Sequence, residues 1–108
     1  MRWLYHLRLA STGDAWPYAP KTFFSEGFVH ASYRDAVRES ATLYFAADAR
    51  IEVVMIDPRR LDVPIDLATT PRGEMPHIVG PICRAAAVRV VPLEQFDVTL
   101  FPDLIDEN

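Results

Sequence analysis

Residues 3–9 alternate strictly between two faces, one of which carries only aromatic and aliphatic side chains. A period of two is typical of a half-buried β-strand. The opposite face carries His6 and Arg8, so these two polar side chains are expected to point the same way. Residues 11–14 are rich in turn formers and end the strand, and a short helix is expected over 14–18.

A helical pattern begins after two short segments. Residues 21–26 predict one helical turn with Gly27 as its C-cap, and the apolar residues 28–31 predict a short buried strand. Beyond them, apolar residues recur at intervals of three and four positions, which predicts the main helix over about 33–47.

The second half of the chain predicts several short strands. The near-continuous apolar run 51–56 is typical of a central strand. Residues 61–67 alternate, but Pro64 cannot donate a ladder hydrogen bond, so this strand is expected to be short or to lie at an edge. Residues 69–75 are expected to form a loop. Further short strands are expected over 76–82 and 88–91, which completes an α+β arrangement of five to six strands and one main helix.

The tail, residues 96–108, is expected to pack its first part on the body and to fray at its acidic end. With no repeat, linker or shift in composition, the 108 residues are expected to form one domain. The apolar anchors of the tail are Phe96, Val98, Leu100, Phe101, Leu104 and Ile105.

Composition and charge exclude several classes of protein. The net charge of -4 argues against a surface that contacts nucleic-acid phosphates. Of the 11 basic residues only Lys21 is not arginine, so a local site for a phosphate or carboxylate remains open. The sequence contains neither a basic amphipathic helix nor a long apolar run, the two features that would indicate a membrane partner. Cys83 is the only cysteine, which fits a cytoplasmic protein.

Each of the three histidines lies in an apolar or aromatic segment: Tyr5-His6-Leu7, Val29-His30-Ala31 and Pro76-His77-Ile78. A buried imidazole without hydrogen-bond partners costs about 1–3 kcal/mol. Such residues therefore indicate either core histidines bonded to the backbone or a common site. We expect all three to converge on one small-molecule pocket.

Two other chemistries stay open at these residues. Three neutral imidazoles can hold a catalytic zinc ion, but separations of 24 and 47 residues carry no ligand signature, and no metal ligand is assigned. Ser32 would share a face with His30 in an extended segment. Alternatively, Ser32 caps the N-terminus of the main helix, since Asp35 completes the spacing of a capping box. Neither a nucleophile elbow nor a glycine-rich phosphate loop is present.

The chain resembles a bacterial family known as domain of unknown function 952, over essentially its whole length. Val79 stands where that family usually carries tyrosine. The matching stretches are Tyr5-His6-Leu7, Trp16 with Tyr18, Glu26-Gly27-Phe28-Val29-His30-Ala31-Ser32, Pro76-His77-Ile78-Val79-Gly80-Pro81-Ile82 and the later Ala87-Val88.

The resemblance implies an ADP-ribosyltransferase-like fold, in which a split or mixed β-sheet forms a cleft for NAD. In that superfamily a His or Arg on the first strand holds the adenosine ribose, which matches His6 by position. A later Ser or Thr lines the nicotinamide pocket, and His30 with Ser32 resembles this motif as it occurs in RNA 2′-phosphotransferases. His77 or Glu74 falls where the superfamily has a glutamate.

Three functions remain open from the sequence. The first is an NAD- or nucleotide-handling enzyme, the second is a non-catalytic module that binds a nucleotide or metabolite, and the third is a histidine-based metal-dependent hydrolase. The catalytic candidates are His30 and His77, and the cofactor-binding candidates are His6, Ser32 and Arg8, with Arg34 as the alternative to Arg8 for phosphates.

Overall fold

Within residues 1–106, six strands form two separate three-stranded sheets. The computed structural model describes residues 1–106; Glu107 and Asn108, in the end expected to fray, lie outside the described residues. A split or a mixed β-sheet was expected. The strands are divided between two sheets, and every strand pairing within residues 1–106 is antiparallel. The elements are β1 (Leu4–Leu9), α1 (Lys21–Glu26), β2 (Val29–His30), α2 (Val37–Tyr44), β3 (Ile51–Ile56), β4 (Ile65–Thr70), β5 (Gly73–Ile78) and β6 (Ala87–Pro92).

The first sheet has the order β1-β3-β6, so β3 is central, as its apolar run predicts. β1 pairs with β3 in continuous register, with Leu4 opposite Ile56. Side chains of successive strand residues point to opposite faces. Val54 belongs to one buried cluster and Val53 to another, so both faces of this sheet are covered by apolar groups. This double burial explains why β3 is apolar throughout.

The second sheet has the order β2-β5-β4 and corrects the expected loop at 69–75. That segment holds the end of β4, a tight turn and the start of β5. The hydroxyl of Thr70 donates to the carbonyl of Gly73 at 2.7 Å, and Gly73 takes a φ of 95°, which costs glycine little. The strand predicted over 61–67 lies at the edge of this sheet as β4, but it extends from Ile65 to Thr70 and excludes residues 61–64, since Pro64 cannot donate to the ladder.

The main helix is shorter than predicted. α2 occupies Val37–Tyr44 rather than 33–47, and a 3-10 turn, Arg34–Ala36, precedes it. The predicted capping box does not form, because the helix begins too far along the chain for Ser32 to be its N-cap. The hydroxyl of Ser32 is instead hydrogen-bonded to that of Ser40 at 2.9 Å. Among residues 1–106, no helix has the length and apolar character needed to cross a membrane.

Residues 14–18 do not form the expected helix. Tyr18 makes an isolated β-bridge with Ile82, with N···O distances of 2.9 and 2.8 Å, and the Trp16–Pro17 peptide bond is cis. Proline disfavours a continuous helix here. α1, in contrast, ends as predicted, because Gly27 takes the left-handed conformation at its C-cap with a φ of 84°.

The tail packs beside the N-terminal end of the chain. Arg2 forms a β-bridge with Leu104, and the N–H of Ile105 donates to the carbonyl of Met1 at 2.9 Å. The first part of the tail packs on the body as predicted, through the rings of Phe96 and Phe101, although only half of the expected anchors are buried. Phe96, Phe101 and Ile105 are buried, whereas Val98, Leu100 and Leu104 are exposed.

The two sheets meet where β1 passes the end of β2. Tyr5 and Ser32 form a β-bridge, with N···O distances of 2.8 and 2.7 Å. Tyr5 is fully buried, and its ring packs edge-on against Phe96 and Phe101. This junction fixes how β1 and β2 lie relative to each other.

Gly80, which follows β5, packs closely against Val63, which precedes β4. Gly80 has a φ of 147°, and a Cβ at this position would lie 2.5 Å from Cγ1 of Val63. Backbone strain and overpacking each cost about 1–3 kcal/mol. We therefore expect Gly80→Ala to lower the free energy of unfolding by about 3 kcal/mol, as measured by urea denaturation followed by circular dichroism.

Gly13→Ala is the matched control. Gly13 also has a positive φ, 89°, but nothing lies within 4 Å of its Cβ position. Gly13→Ala should lose only the cost of the backbone conformation, a φ of 89° with a ψ of -174°, which is about 1–2 kcal/mol. Equal losses in the two variants would contradict the steric explanation at Gly80.

Candidate functional site

One cavity of about 1070 Å³ is lined by both sheets and both helices. β1 contributes residues 5–9, and α1 contributes Lys21 and Glu26. The remaining wall comes from residues 18–20 and 30–32, the C-terminal part of α2 and the β4–β5 hairpin. This volume lies just above the usual range for ligand pockets, about 300–1,000 Å³.

The five residues preferred for the site from the sequence line this cavity, whereas the two alternatives do not. The three histidines line it, together with Arg8 and Ser32, although they come from distant parts of the chain. What each does there stays a prediction. Arg34 does not line the cavity; its Nε donates to the carboxylate of Asp35 at 3.0 Å. Glu74 does not line it either, because it lies on the opposite face of β5 from the cavity-lining histidine of that strand.

His6 is buried, and both of its ring nitrogens are occupied. Nδ1 donates to the backbone carbonyl of His30 at 2.6 Å, since a carbonyl can only accept, and Nε2 then accepts from the hydroxyl of Tyr18 at 3.1 Å. Burial lowers the pKa of His6 to about 4, so the ring is neutral at neutral pH. His6 thus ties β1 to β2 and to Tyr18, and it offers a ligand the edge of its ring rather than a free nitrogen.

The guanidinium group of Arg8 is buried and only partly satisfied. Its side chain is 4% exposed, and its Nε donates to the carboxylate of Glu52 at 2.6 Å. The cation lies 4.9 Å from the ring centroid of Tyr18 and 5.2 Å from that of Trp16. Nη1 is buried without a hydrogen-bond partner among the described residues. Such a donor costs about 1–3 kcal/mol, so an anionic group that reached it would stabilise the site.

Ser32 belongs to a short chain of polar side chains along one wall. Its hydroxyl meets that of Ser40 on α2, which accepts from Nη2 of Arg72 at 2.8 Å. Nε of Arg72 is paired with the carboxylate of Glu39. These contacts hold the β4–β5 hairpin against α2 and keep a hydroxyl and a guanidinium group on the cavity wall.

His30 and His77 lie opposite each other in β2 and β5, with ring centroids 5.5 Å apart. Nε2 of His30 is 2.7 Å from Oε2 of Glu26, the last residue of α1. The ring of His77 stacks on Phe28 at 3.8 Å, and the ring of Tyr44 stacks on His30 at 5.9 Å. Two imidazoles, one carboxylate and two aromatic rings therefore form a single cluster, which we call the imidazole cluster.

The two imidazoles of this cluster have different surroundings. Burial lowers the pKa of His77, and the neighbouring His30 lowers it further, whereas Glu26 and Asp66 act in the opposite direction. Neither ring nitrogen of His77 has a hydrogen-bond partner within residues 1–106. His77 is therefore a neutral imidazole at neutral pH, with its nitrogens free to meet a ligand.

The sequence alone does not mark Lys21, Glu26, Tyr44 or Arg72 as site residues. One signal could have identified Glu26: it lies four residues before His30, and the C-capping Gly27 between them turns the chain back. Lys21, Tyr44 and Arg72 carry no local signal, because their positions in the cavity depend on how the helices and the hairpin pack.

The geometry does not favour a zinc site built from the three histidines. No group of three His, Cys, Asp or Glu side chains in the part of the chain that the structure describes is arranged to hold a metal ion. His6 in addition uses both ring nitrogens within the protein.

The sequence profile of a family described as "Protein of unknown function (DUF952)" matches residues 8–90. The chain belongs to this family. The matched region includes Arg8, Glu26, His30 and His77, whereas His6 lies just before it. Among curated proteins, none is significantly similar to this DUF952 chain.

Protein CC0527 from Caulobacter crescentus has a similar crystal structure, with a TM-score of 0.69 and 17% sequence identity over 83% of this chain and 84% of that chain. A double mutant of CC0527 matches with the same TM-score and coverage and 16% identity. At this identity the likeness shows the fold alone. It supports the small α+β domain, and the ADP-ribosyltransferase-like superfamily stays a prediction for this DUF952 protein.

The buried imidazole of His6 should make the fold sensitive to acid. Its pKa of about 4 in the folded protein lies below the value of about 6.5 for an unfolded histidine. The unfolded chain therefore takes up this proton first as the pH falls, so the stability is present above about pH 6.5 and is lost between there and about pH 4. Going from about pH 7.5 to about pH 5 should lower the free energy of unfolding by about 2 kcal/mol in urea titrations.

His6→Gln should remove most of this pH dependence, because glutamine has no proton to gain in the same range. His77→Gln is the control, since His77 is only partly buried and should leave most of the dependence in place. A pH dependence that is unchanged in His6→Gln would show that other groups cause it.

Proposed function

We propose that this protein binds an anionic ligand of the nucleotide class, such as NAD or ADP-ribose, in the cavity lined by its two sheets. The charge of the cavity wall carries the proposal. Three cations, Arg8, Lys21 and Arg72, line the cavity, against the single carboxylate of Glu26. Arg8 and Arg72 are each paired with a carboxylate that does not line the cavity, Glu52 and Glu39, so the wall offers an anion cationic donors rather than a large net charge. These donors lie together in a protein whose net charge is -4.

The donors of these cations suit phosphate oxygens. Arg8 is paired with Glu52 and Arg72 with Glu39, and these contacts fix the position of each guanidinium group. A fixed guanidinium group binds phosphate in a defined geometry and loses little entropy in doing so. Nη1 of Arg8 has no partner among the described residues and would gain one.

The size and the aromatic wall of the cavity also fit a nucleotide. A volume of about 1070 Å³ accommodates a dinucleotide, and the exposed ring of Tyr44 offers a surface on which a base can stack. In the superfamily that the chain resembles, His6 would hold the adenosine ribose. Because both nitrogens of His6 are occupied, Arg8 on the same face of β1 is the better polar contact for this half of the ligand.

An enzyme that handles NAD or a related nucleotide is the preferred form of this proposal. The superfamily glutamate would have to be Glu26, the carboxylate in the cavity, rather than Glu74. The alternative is a module that binds the same ligands without turnover. A turnover assay distinguishes the enzyme from the module, because a module binds NAD or ADP-ribose and releases it unchanged.

Millimolar NAD or ADP-ribose should raise the melting temperature of the protein. A ligand at ten times its dissociation constant stabilises the folded state by about 1.4 kcal/mol, which corresponds to a rise of about 5 °C for a domain of this size. The same ligands should give a saturable heat signal in isothermal titration calorimetry. No thermal shift and no heat with either ligand would exclude the proposal.

Variants of the cavity cations locate the ligand. Lys21→Gln and Arg8→Gln should each weaken binding about tenfold or more, because each removes a contact to the anionic group. Lys21 makes no internal ion pair that the substitution would break in the described residues. Arg84→Gln is the matched control, since Arg84 is 72% exposed and lies outside the cavity. Equal effects of all three variants would point to unspecific attraction.

A further inference from the structure

We propose further that the cavity is an active site that cleaves phosphodiester bonds of small ribonucleotides without a metal ion, with His77 as the base, His30 as the acid and Glu26 as the residue that positions His30. The inference rests on the proposed function in one respect, since the cavity must admit a nucleotide. It goes beyond that function by naming a reaction and the groups that perform it.

The geometry of the imidazole cluster supports a pair of proton-transfer groups. Cleavage at phosphorus needs one group that takes a proton from the attacking oxygen and another that gives a proton to the leaving oxygen. His30 and His77 are cross-strand neighbours with ring centroids 5.5 Å apart, and both face the cavity. Phe28 and Tyr44 stack on them and restrict rotation of the rings.

Glu26 determines which nitrogen of His30 can act on a ligand. Its carboxylate accepts from Nε2 of His30 at 2.7 Å, so Nε2 carries a proton and Nδ1 is the nitrogen left for the ligand. The contact spans the turn between α1 and β2, where Gly27 has the left-handed conformation that brings the end of the helix back to the strand. A carboxylate held in this way orients the ring and stabilises the imidazolium ion when it forms.

The environments of the two imidazoles assign the roles. His77 is partly buried, stacked on Phe28 and without a hydrogen-bond partner among residues 1–106, so it is neutral and able to accept a proton. The lowered pKa of His77 agrees with this. His30 has a carboxylate on Nε2, so a proton on Nδ1 gives a cation that is paired with Glu26. Two neighbouring titratable groups in unlike surroundings are the usual arrangement for an acid and a base.

The reaction balances without any further reagent except water. With a ribonucleoside 2′,3′-cyclic phosphate, the oxygen of a water molecule forms a bond to phosphorus while its proton moves to His77. The bond from phosphorus to one ribose oxygen breaks, and that oxygen takes the proton from Nδ1 of His30. The product is a nucleoside monophosphate, and the two imidazoles exchange protons with solvent to return to their starting states.

The cations on the cavity wall would stabilise the transition state. Negative charge builds up on the non-bridging oxygens of phosphorus as the new bond forms. Arg8, Lys21 and Arg72 line the same cavity as the two imidazoles. An arrangement of two imidazoles and fixed cations supplies acid, base and charge stabilisation, so the chemistry does not require a metal ion.

The test is hydrolysis of 2′,3′-cyclic AMP and cleavage of the dinucleotide ApA, with products separated by chromatography and EDTA present throughout. The wild-type protein should turn over at least one of these probes. His30→Gln and His77→Gln should each lower kcat about 100-fold or more, the usual contribution of general acid–base catalysis. Circular dichroism spectra should show that both variants are folded, since both side chains are partly exposed.

Glu26 requires a readout that a purely structural role would not change. Glu26→Gln should lower kcat about tenfold and leave KM nearly unchanged, because the carboxylate that orients the ring of His30 is lost while the groups that bind the ligand are not. Glu26→Asp should restore part of the rate. The charged groups that also act on this cluster are His77, Asp66 and, beyond Tyr44, Arg72, and they are unchanged in these variants. Glu74→Gln is the matched control, because Glu74 lies outside the cavity, and it should behave as the wild type.

The outcomes separate this inference from the proposed function. Absence of turnover of both probes by the wild-type protein overturns the inference, whether or not NAD and ADP-ribose bind. Turnover that His30→Gln and His77→Gln leave within about threefold, or that EDTA abolishes, overturns it as well. Turnover of either probe that depends on both histidines supports it, even if NAD and ADP-ribose fail to bind, in which case only their assignment as ligands is wrong.

Discussion

The contact between β1 and the end of β2 is the constraint on which the rest of the structure depends. β2 is only two residues long, and the two sheets share no strand. The backbone bridge between Tyr5 and Ser32 and the hydrogen bond from Nδ1 of His6 to the carbonyl of His30 join them. Both contacts are buried or partly buried, where hydrogen bonds are stronger and an unmade one is costly. They bring Arg8 on β1 to the same cavity as the imidazole cluster on the second sheet.

The elements that were predictable from the sequence are those whose pattern reflects burial directly. β3 is apolar throughout because both of its faces are covered, whereas the polar face of β1 is buried against the cavity, where His6 and Arg8 find partners. The hairpin over residues 69–75 could not be predicted in this way, since its side chains are largely exposed and its proline and glycine are typical of loops. The bridge between Tyr18 and Ile82 depends on residues far apart in the chain, and no local pattern marks it.

The same distinction applies to the cavity. Histidines in apolar strands need partners, so their convergence could be expected, and the three rings do line one cavity. Their individual environments could not be expected, because they depend on tertiary contacts. The carbonyl of His30 and the hydroxyl of Tyr18 occupy the ring of His6, whereas Glu26 leaves one nitrogen of His30 available. Arg72 reaches the cavity only because residues 69–75 form a hairpin against α2.

The pairing of Glu26 with His30 also resolves an electrostatic conflict in the cavity. A lone carboxylate would repel an anionic ligand and offset the attraction of Arg8 and Lys21. When His30 carries a second proton, the pair with Glu26 has no net charge, so the field of the neighbouring cations is not opposed. The contact between Nε2 of His30 and the carboxylate of Glu26 therefore lets the cavity hold an acidic side chain on the same wall as the donors that suit an anion.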